Sequence, residues 1–213
     1  MTSTSVGLKQ SDHKILEITL LRHKEDRTTE NFKAALEALI KVRENLANSV
    51  YATQSKFFSP IDNPSEIYIF GFWPSIAAHQ DFLANEELSS RILAPQEGLL
   101  DFVWGHHVEL PGLDDQTGFL EHLPLDAPLV GLLMYNNSRD YESWGKSYAE
   151  YTNGLKLATK GYPLLKGTFC EPNDGESTPD DFVLSGWNAD DEAASSEGTP
   201  WEKTLIILKD LEK

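Results

Sequence analysis

The sequence is poor in cysteine, with Cys170 the only one among 213 residues. One thiol can close no internal disulfide and build no cysteine metal cluster, which suits a reducing compartment. Positive charge is scarce too: 18 Lys and Arg stand against 34 Asp and Glu, a formal net charge of -16. A chain so acidic is repelled by a phosphate backbone instead of releasing its counterions, so nucleic acid and anionic membrane surfaces are disfavoured as partners. No apolar run reaches the roughly 20 residues that span a bilayer, and residues 1–14 carry no apolar core of signal-peptide length. A cytoplasmic protein is expected. Several chemical signatures are missing as well. There is no Gly-rich phosphate loop, nucleophile elbow, His-Glu-x-x-His helix or Asp-x-Asp-x-Asp-Gly calcium loop, and Cys170 has no basic neighbour in sequence to activate it. Nucleotide-dependent and nucleophilic chemistry are disfavoured, and the acidic loops read as solvated surface.

What the chain does contain is an internal echo. Glu66 to Trp73, EIYIFGFW, returns as Asp181 to Trp187, DFVLSGW. Phe57 and Phe169, Phe32 and Trp144, and Leu20-Leu21 and Leu132-Leu133 all stand 112 residues apart, and around the central strand the offset becomes 114. A longer hairpin loop in the second copy produces such a step. Trp104 and Trp201 each precede a last apolar run. The chain therefore reads as two diverged copies of one unit, each of about 100 residues and large enough for a layered fold.

The first copy spans 14–110. Lys14 to His23 alternates as a strand, with Leu16, Ile18 and Leu20 on one face and Ile15, Glu17, Thr19, Leu21 and His23 on the other. Thr28 or Thr29 can cap a helix to about Asn48, whose apolar stripe runs from Phe32 through Leu36, Leu39 and Val42 to Leu46. Tyr51 to Phe58 and Glu66 to Trp73 form a hairpin across Ser59 to Pro64. Pro74-Ser75 opens a helix through Phe82, a second begins after Glu86, and Trp104 to Leu110 is the last strand. Residues 111–127 read as a linker, and 128–210 as the second copy. There Pro128 to Tyr135, Tyr162 to Cys170, Phe182 to Trp187 and Trp201 to Leu208 are strands, and Asp140 to Thr159 and Asp190 to Ser196 are helices.

In the central strand, Ile67, Ile69 and Trp73 face opposite to Tyr68, Phe70 and Phe72, so both faces need cover. Helices can cover one face, and a second sheet, supplied by the repeat, the other. The expected fold is α+β: two tandem ferredoxin-like βαββαβ repeats forming an intramolecular α+β barrel around a cavity. Gly71-Phe72-Trp73-Pro74-Ser75, followed by His79, Asp81 and Phe82, resembles the strand-to-helix junction of the dimeric α+β barrel superfamily. Within it the likeness is to the antibiotic-biosynthesis-monooxygenase type, especially fungal members carrying two such units in tandem. The resemblance implies a cofactor-independent cyclase, isomerase or monooxygenase acting on a hydrophobic polyketide-like or aromatic secondary metabolite inside the barrel. The superfamily also includes haem-binding proteins, for which His107 would be the axial candidate, and non-catalytic or stress-associated barrels.

If helices cover the Leu16, Ile18, Leu20 face, then Glu17, Thr19 and His23 point into the barrel, where polar groups need partners or a ligand. His106 and His107 face opposite ways, and alternation does not say which enters. The candidate catalytic residues are His23, His107 and Glu17, a proton-transfer set; Tyr51, Tyr68, Phe70, Trp73, Tyr135 and Trp187 are the candidate substrate-binding residues, with ordinary core packing as their alternative. His79, at a helix start, is expected to brace the Trp73 junction. Neither a metal nor a cofactor is called for. The expected partner is a small hydrophobic or aromatic molecule, and an internally closed barrel leaves a homodimer through its outer surfaces open.

Overall fold

The computed structural model describes residues 15–25, 28–109, 123–135, 164–170, 181–187 and 205–212. The first half contains β1 (Ile15–His23), α1 (Thr29–Ala47), β2 (Gln54–Pro60), β3 (Glu66–Trp73), α2 (Ile76–Ala84), α3 (Glu86–Leu93) and β4 (Leu100–Glu109). The second contributes β5 (Leu129–Tyr135), β6 (Leu164–Thr168), β7 (Asp181–Trp187) and β8 (Leu205–Asp210). The helices expected at 140–159 and 190–196 lie outside the described residues.

Local chemistry sets the boundaries. Thr28 caps α1 by accepting from Asn31 N–H at 3.1 Å, and the α1 chain ends at Asn48, whose side-chain amide donates to Glu44 O at 2.9 Å. Pro74 follows β3, and Ser75 then caps α2 by accepting from Ala78 N–H at 3.1 Å. Asn85 does the same for α3 through Leu88 N–H at 3.1 Å. β2 starts at Gln54 and not at Tyr51, because a turn intervenes in which Ala52 takes φ 46, a left-handed conformation that breaks an extended strand. β4 starts four residues before Trp104. Its register to β1 shifts where Leu20 pairs Trp104 and Leu21 pairs Phe102, which bulges Val103 out of the ladder.

All strand pairs are antiparallel, and the eight strands form one sheet in the order β4-β1-β3-β2-β8-β5-β7-β6. The two halves join where β2 meets β8, with Phe58 opposite Asp210 and Pro60 opposite Leu208. They are therefore one continuous sheet, not two facing four-stranded ones. The sheet curls until its edge strands touch: Val108 bridges Phe169, and Cys170 N–H donates to His107 O at 2.8 Å. Ile15 pairs with Trp73 as Leu129 pairs with Trp187, so the offset in β1 and β5 is 114 and not the 112 read from Leu20-Leu21. The difference is even, so side chains keep their faces.

The inner face is filled. Leu16, Ile18 and Leu20 pack with Phe58, Tyr68, Phe70, Phe72, Val130, Leu132, Phe182 and Leu184 in one buried cluster, joined by Leu123 and Leu125 from the segment read as linker. Fully burying each such side chain contributes about 1.5–3 kcal/mol. On the outer face of the first half, α1 lays Ala35 and Leu39 on Leu21, Phe57 and Ile67, while Val42, Phe82 and Ile92 cover Ile15 and Trp73. This reverses the expected facing of β1. Leu16, Ile18 and Leu20 point inward, and Glu17 and Thr19 point towards the helices. Both faces of β1 carry enough apolar residues to be buried; the wholly apolar one joins the inner apolar cluster, and on the mixed one Glu17 accepts hydrogen bonds from the Trp73 indole and the Thr19 hydroxyl. Among the described residues no helix is long and apolar enough to cross a membrane.

Candidate active site

A cavity of about 470 Å³ lies between the outer face of the first-half sheet and the helices. Its walls are mostly apolar: Leu39, Val42 and Leu46 of α1, Phe82 and Leu83 of α2, Leu93 of α3, and Phe57, Ile69 and Trp73 of the sheet. Glu17, Thr19, His79 and His107 form a polar patch in this lining. The cavity is thus on the helix side of the strand layer and not on the inner face of the curled sheet, where the expected one would lie and which is packed.

Strand register builds the polar patch. Glu17 in β1 is flanked by Gly71 of β3 and His107 of β4, so one row across the sheet carries a carboxylate between an empty position and an imidazole. A Cβ at Gly71 would stand 3.4 Å from Glu17 Oε2 and 3.6 Å from Trp73 Nε1, so this position lies in contact distance of both ends of their hydrogen bond. Trp73 Nε1–H donates to Glu17 Oε2 at 2.6 Å, and the Thr19 hydroxyl donates to Oε1 at 2.8 Å. The Ser75 cap fixes the start of α2, and His79, whose N–H donates to Ser75 O at 3.2 Å, brings its ring over the row.

His79 Nε2 stands 3.7 Å from Glu17 Oε1, an ion-pair separation longer than a hydrogen bond, and its Nδ1 lies 2.7 Å from His107 Nε2. The Trp73 ring covers His79 at 4.5 Å between centroids. A carboxylate facing Nε2 favours the neutral His79 tautomer protonated there. Nδ1 then accepts, His107 Nε2 donates, and the lone pair of His107 is on Nδ1. Glu17, His79 and His107 thus form a row of proton-carrying groups, hydrogen-bonded between the two imidazoles, whose donor and acceptor roles follow the tautomers.

Of the residues singled out in the sequence, the structure brings Glu17 and His107 together and puts Trp73 in the cavity wall. Tyr51 stacks behind that wall, 5.8 Å from Trp73 and 5.7 Å from Phe82. His23 lies at the far end of β1 opposite Leu100, buried, with its ring 6.1 Å from Phe32 and outside the cavity lining. Tyr68 and Phe70 belong to the packed inner face, where Tyr68 meets Trp104 edge-on at 5.9 Å and Phe70 meets Phe58 at 5.2 Å. Burial first, then the carboxylates of Glu66 and Asp62, push the Tyr68 phenol above its ordinary range. Trp187 is buried in the second half, donating to Ser185 Oγ at 2.9 Å, and Tyr135 ends β5 opposite Asp181. Of the histidine pair, His106 faces inward, stacked on Trp104 at 5.0 Å and beside Phe169 at 4.9 Å. His79, expected from the sequence to brace the Trp73 junction, lies in the polar patch beside Glu17 and His107. Its signal was the spacing from the Ser75 cap: His79 and Phe82, three apart, share the helix face turned to Trp73.

A curled antiparallel sheet that, among the described residues, carries helices over its first half is an α+β protein of ferredoxin-like fold. Three solved structures share it. A candidate chlorite dismutase is 10% identical with a TM-score of 0.56, covering 93% of this chain and 95% of its own. An anthrone oxidase-like protein is 14% identical with a TM-score of 0.53, covering 93% of this chain and 92% of its own. A candidate monooxygenase from Fusobacterium nucleatum is 10% identical with a TM-score of 0.51, covering 93% of both chains. At these identities the likeness is one of fold. No family model and no curated protein matches the sequence.

Proposed function

We propose that the chain consists of two ferredoxin-like units, 14–110 and 128–210, closed into one intramolecular barrel, and that it is an enzyme acting on a hydrophobic aromatic or polyketide-like molecule. The matching pairs Ile15–Trp73 and Leu129–Trp187 and the contact of β4 with β6 support the first part. The observation that carries the second is the convergence of Glu17, His79 and His107 on one patch of an apolar cavity. The walls suit a flat apolar ring system, and the histidines suit removal of a proton from its phenol or enolisable carbon. His107 takes that proton; His79 and Glu17 stabilise the imidazolium that results, as the second and third members of a triad do. The electron-rich anion left behind can cyclise, isomerise or react with O2.

The names of two fold neighbours make O2 the first co-reactant to try. Anthrone, a tricyclic ketone with an acidic methylene, is the probe: the protein would convert one anthrone and one O2 into anthraquinone and water. Wild-type protein is expected to accelerate oxygen uptake and quinone absorbance, and His107→Ala to lose most of that gain. Failure of anthrone and related phenols to bind, or equal rates for wild type and His107→Ala, overturns the reading. A haem site finds less support: Arg43, the one Lys or Arg in the described lining that could pair with a propionate, is held by Glu212 at 2.6 and 2.8 Å.

A further inference from the structure

We propose that Glu17, His79 and His107 also constitute a binding site for one divalent transition-metal ion of the class that prefers nitrogen and oxygen donors, such as Zn²⁺, Fe²⁺, Ni²⁺ or Cu²⁺. One ligand atom from each of the three residues lies within 4.8 Å of the others. Two imidazoles and one carboxylate are a donor set that holds such ions while leaving coordination positions open. With metal–ligand bonds of about 2.0–2.2 Å, neighbouring donors stand about 3.0–3.5 Å apart. His107 Nε2 to His79 Nδ1 is 2.7 Å, and His79 Nε2 to Glu17 Oε1 is 3.7 Å. The two separations use opposite nitrogens of the His79 ring, of which an ion takes one, so a turn of that ring is needed to set a single nitrogen between His107 Nε2 and Glu17 Oε1.

Three further features of the surroundings fit a metal. The Thr19 hydroxyl and the Trp73 indole each donate to a different oxygen of Glu17, the kind of outer support that orients a ligating carboxylate. The three ligands come from β1, α2 and β4, held respectively by ladder pairing, a capped helix and ladder pairing, so the backbone of the site is in place before an ion arrives. The side chains of His79 and Glu17 are 10% and 16% exposed, and the cavity beside them provides access and space for an added ligand. At 2.7 Å the two imidazoles are within hydrogen-bond distance, so one proton between them can occupy the donors that an ion would use. Proton and metal are alternative occupants of the same donors. The proposal depends on the cavity being the functional site but not on proton transfer; an ion there would present a Lewis acid to an oxygen of the bound molecule.

The test is calorimetric titration of chelator-treated protein with Zn²⁺ and, separately, Ni²⁺. The expected result is one ion per chain, with affinity falling at least about 100-fold in His79→Ala and in His107→Ala and about 10- to 100-fold in Thr19→Val, the size of an outer-support loss. Cys170→Ser should bind as wild type does, since that thiol is exposed. Because an alanine variant could misfold, Cu²⁺-loaded wild type supplies a second readout, in which paramagnetic resonance should show hyperfine coupling to imidazole nitrogens. Absence of stoichiometric binding to wild type, binding that survives both histidine substitutions, or a spectrum with oxygen donors alone overturns the proposal. Anthrone turnover by the chelator-treated protein is measured alongside, so the metal site and the acid–base reading fail separately.

Discussion

Trp73 and Glu17 are 56 residues apart in sequence and meet across Gly71, the indole N–H donating to the carboxylate at 2.6 Å. One end of this contact is thus a core residue, 3% exposed and packed on Phe82 at 5.6 Å. Trp73→Phe keeps most of that packing and removes the donor. A hydrogen bond to a charged group is worth about 1.5–3 kcal/mol. Denaturant unfolding should show a loss in that range, and ligand binding should weaken because Glu17 loses the group that orients it.

Glu17→Gln and His107→Ala test the proton chain directly. Each should reduce turnover by about 10²- to 10⁴-fold, the usual contribution of a general acid or base. The Gln substitution keeps the shape of the side chain, so its thermal unfolding should stay close to wild type. Nitrogen-resolved NMR of His79 adds an independent check, since loss of the carboxylate should redistribute its tautomers.

The second half arranges its tryptophan differently. Gly131 occupies the pairing position of Glu17 and Ser185 that of Gly71, and the Trp187 indole donates to Ser185 Oγ at 2.9 Å. Glu17→Gly alone should strand the Trp73 N–H and cost about 1–3 kcal/mol. Adding Gly71→Ser should restore about 1 kcal/mol by providing the acceptor that Trp187 uses, while activity stays lost. A double-mutant cycle on unfolding free energies measures the coupling, and simple additivity would reject this equivalence.

Tyr68 provides a prediction about pH. Its phenol is pushed above the ordinary value of 10.0, chiefly by burial, so the unfolded chain releases this proton before the folded chain does. Below about pH 10 the group has no effect on stability. As pH rises beyond that, the folded state binds more protons than the unfolded state, and stability falls by up to about 1.4 kcal/mol per pH unit. Unfolding of wild type and Tyr68→Phe between pH 8 and about pH 11 should show the steeper decline only in wild type.

Much of this arrangement was legible before any coordinates. The strand Glu66–Trp73 and the Thr28 cap follow from apolar alternation and cap chemistry, and Glu17 and His107 stood out as polar groups on strands with buried faces. The sign of the facing was not legible. Alternation separates Leu16 from Glu17 but does not say which side meets a helix, and β1 is apolar enough on both. His79 escaped because one histidine in a nine-residue helix makes no periodic pattern; its role arises from Glu17 and His107, which reach it from strands 62 and 28 residues away.

The meeting of β4 and β6 joins the two halves of the molecule through the residue that carries the site's outermost imidazole. His107 gives its carbonyl to Cys170 N–H and its ring to His79. When that seam breathes, the strand holding His107 is restrained by its pairing with β1 alone, and the imidazole is expected to lose alignment with His79 more often. Deuterium uptake at the Cys170 amide would therefore clock how often the proton chain is interrupted, and a second half with no carboxylate at Gly131 would still govern how long the first half stays competent.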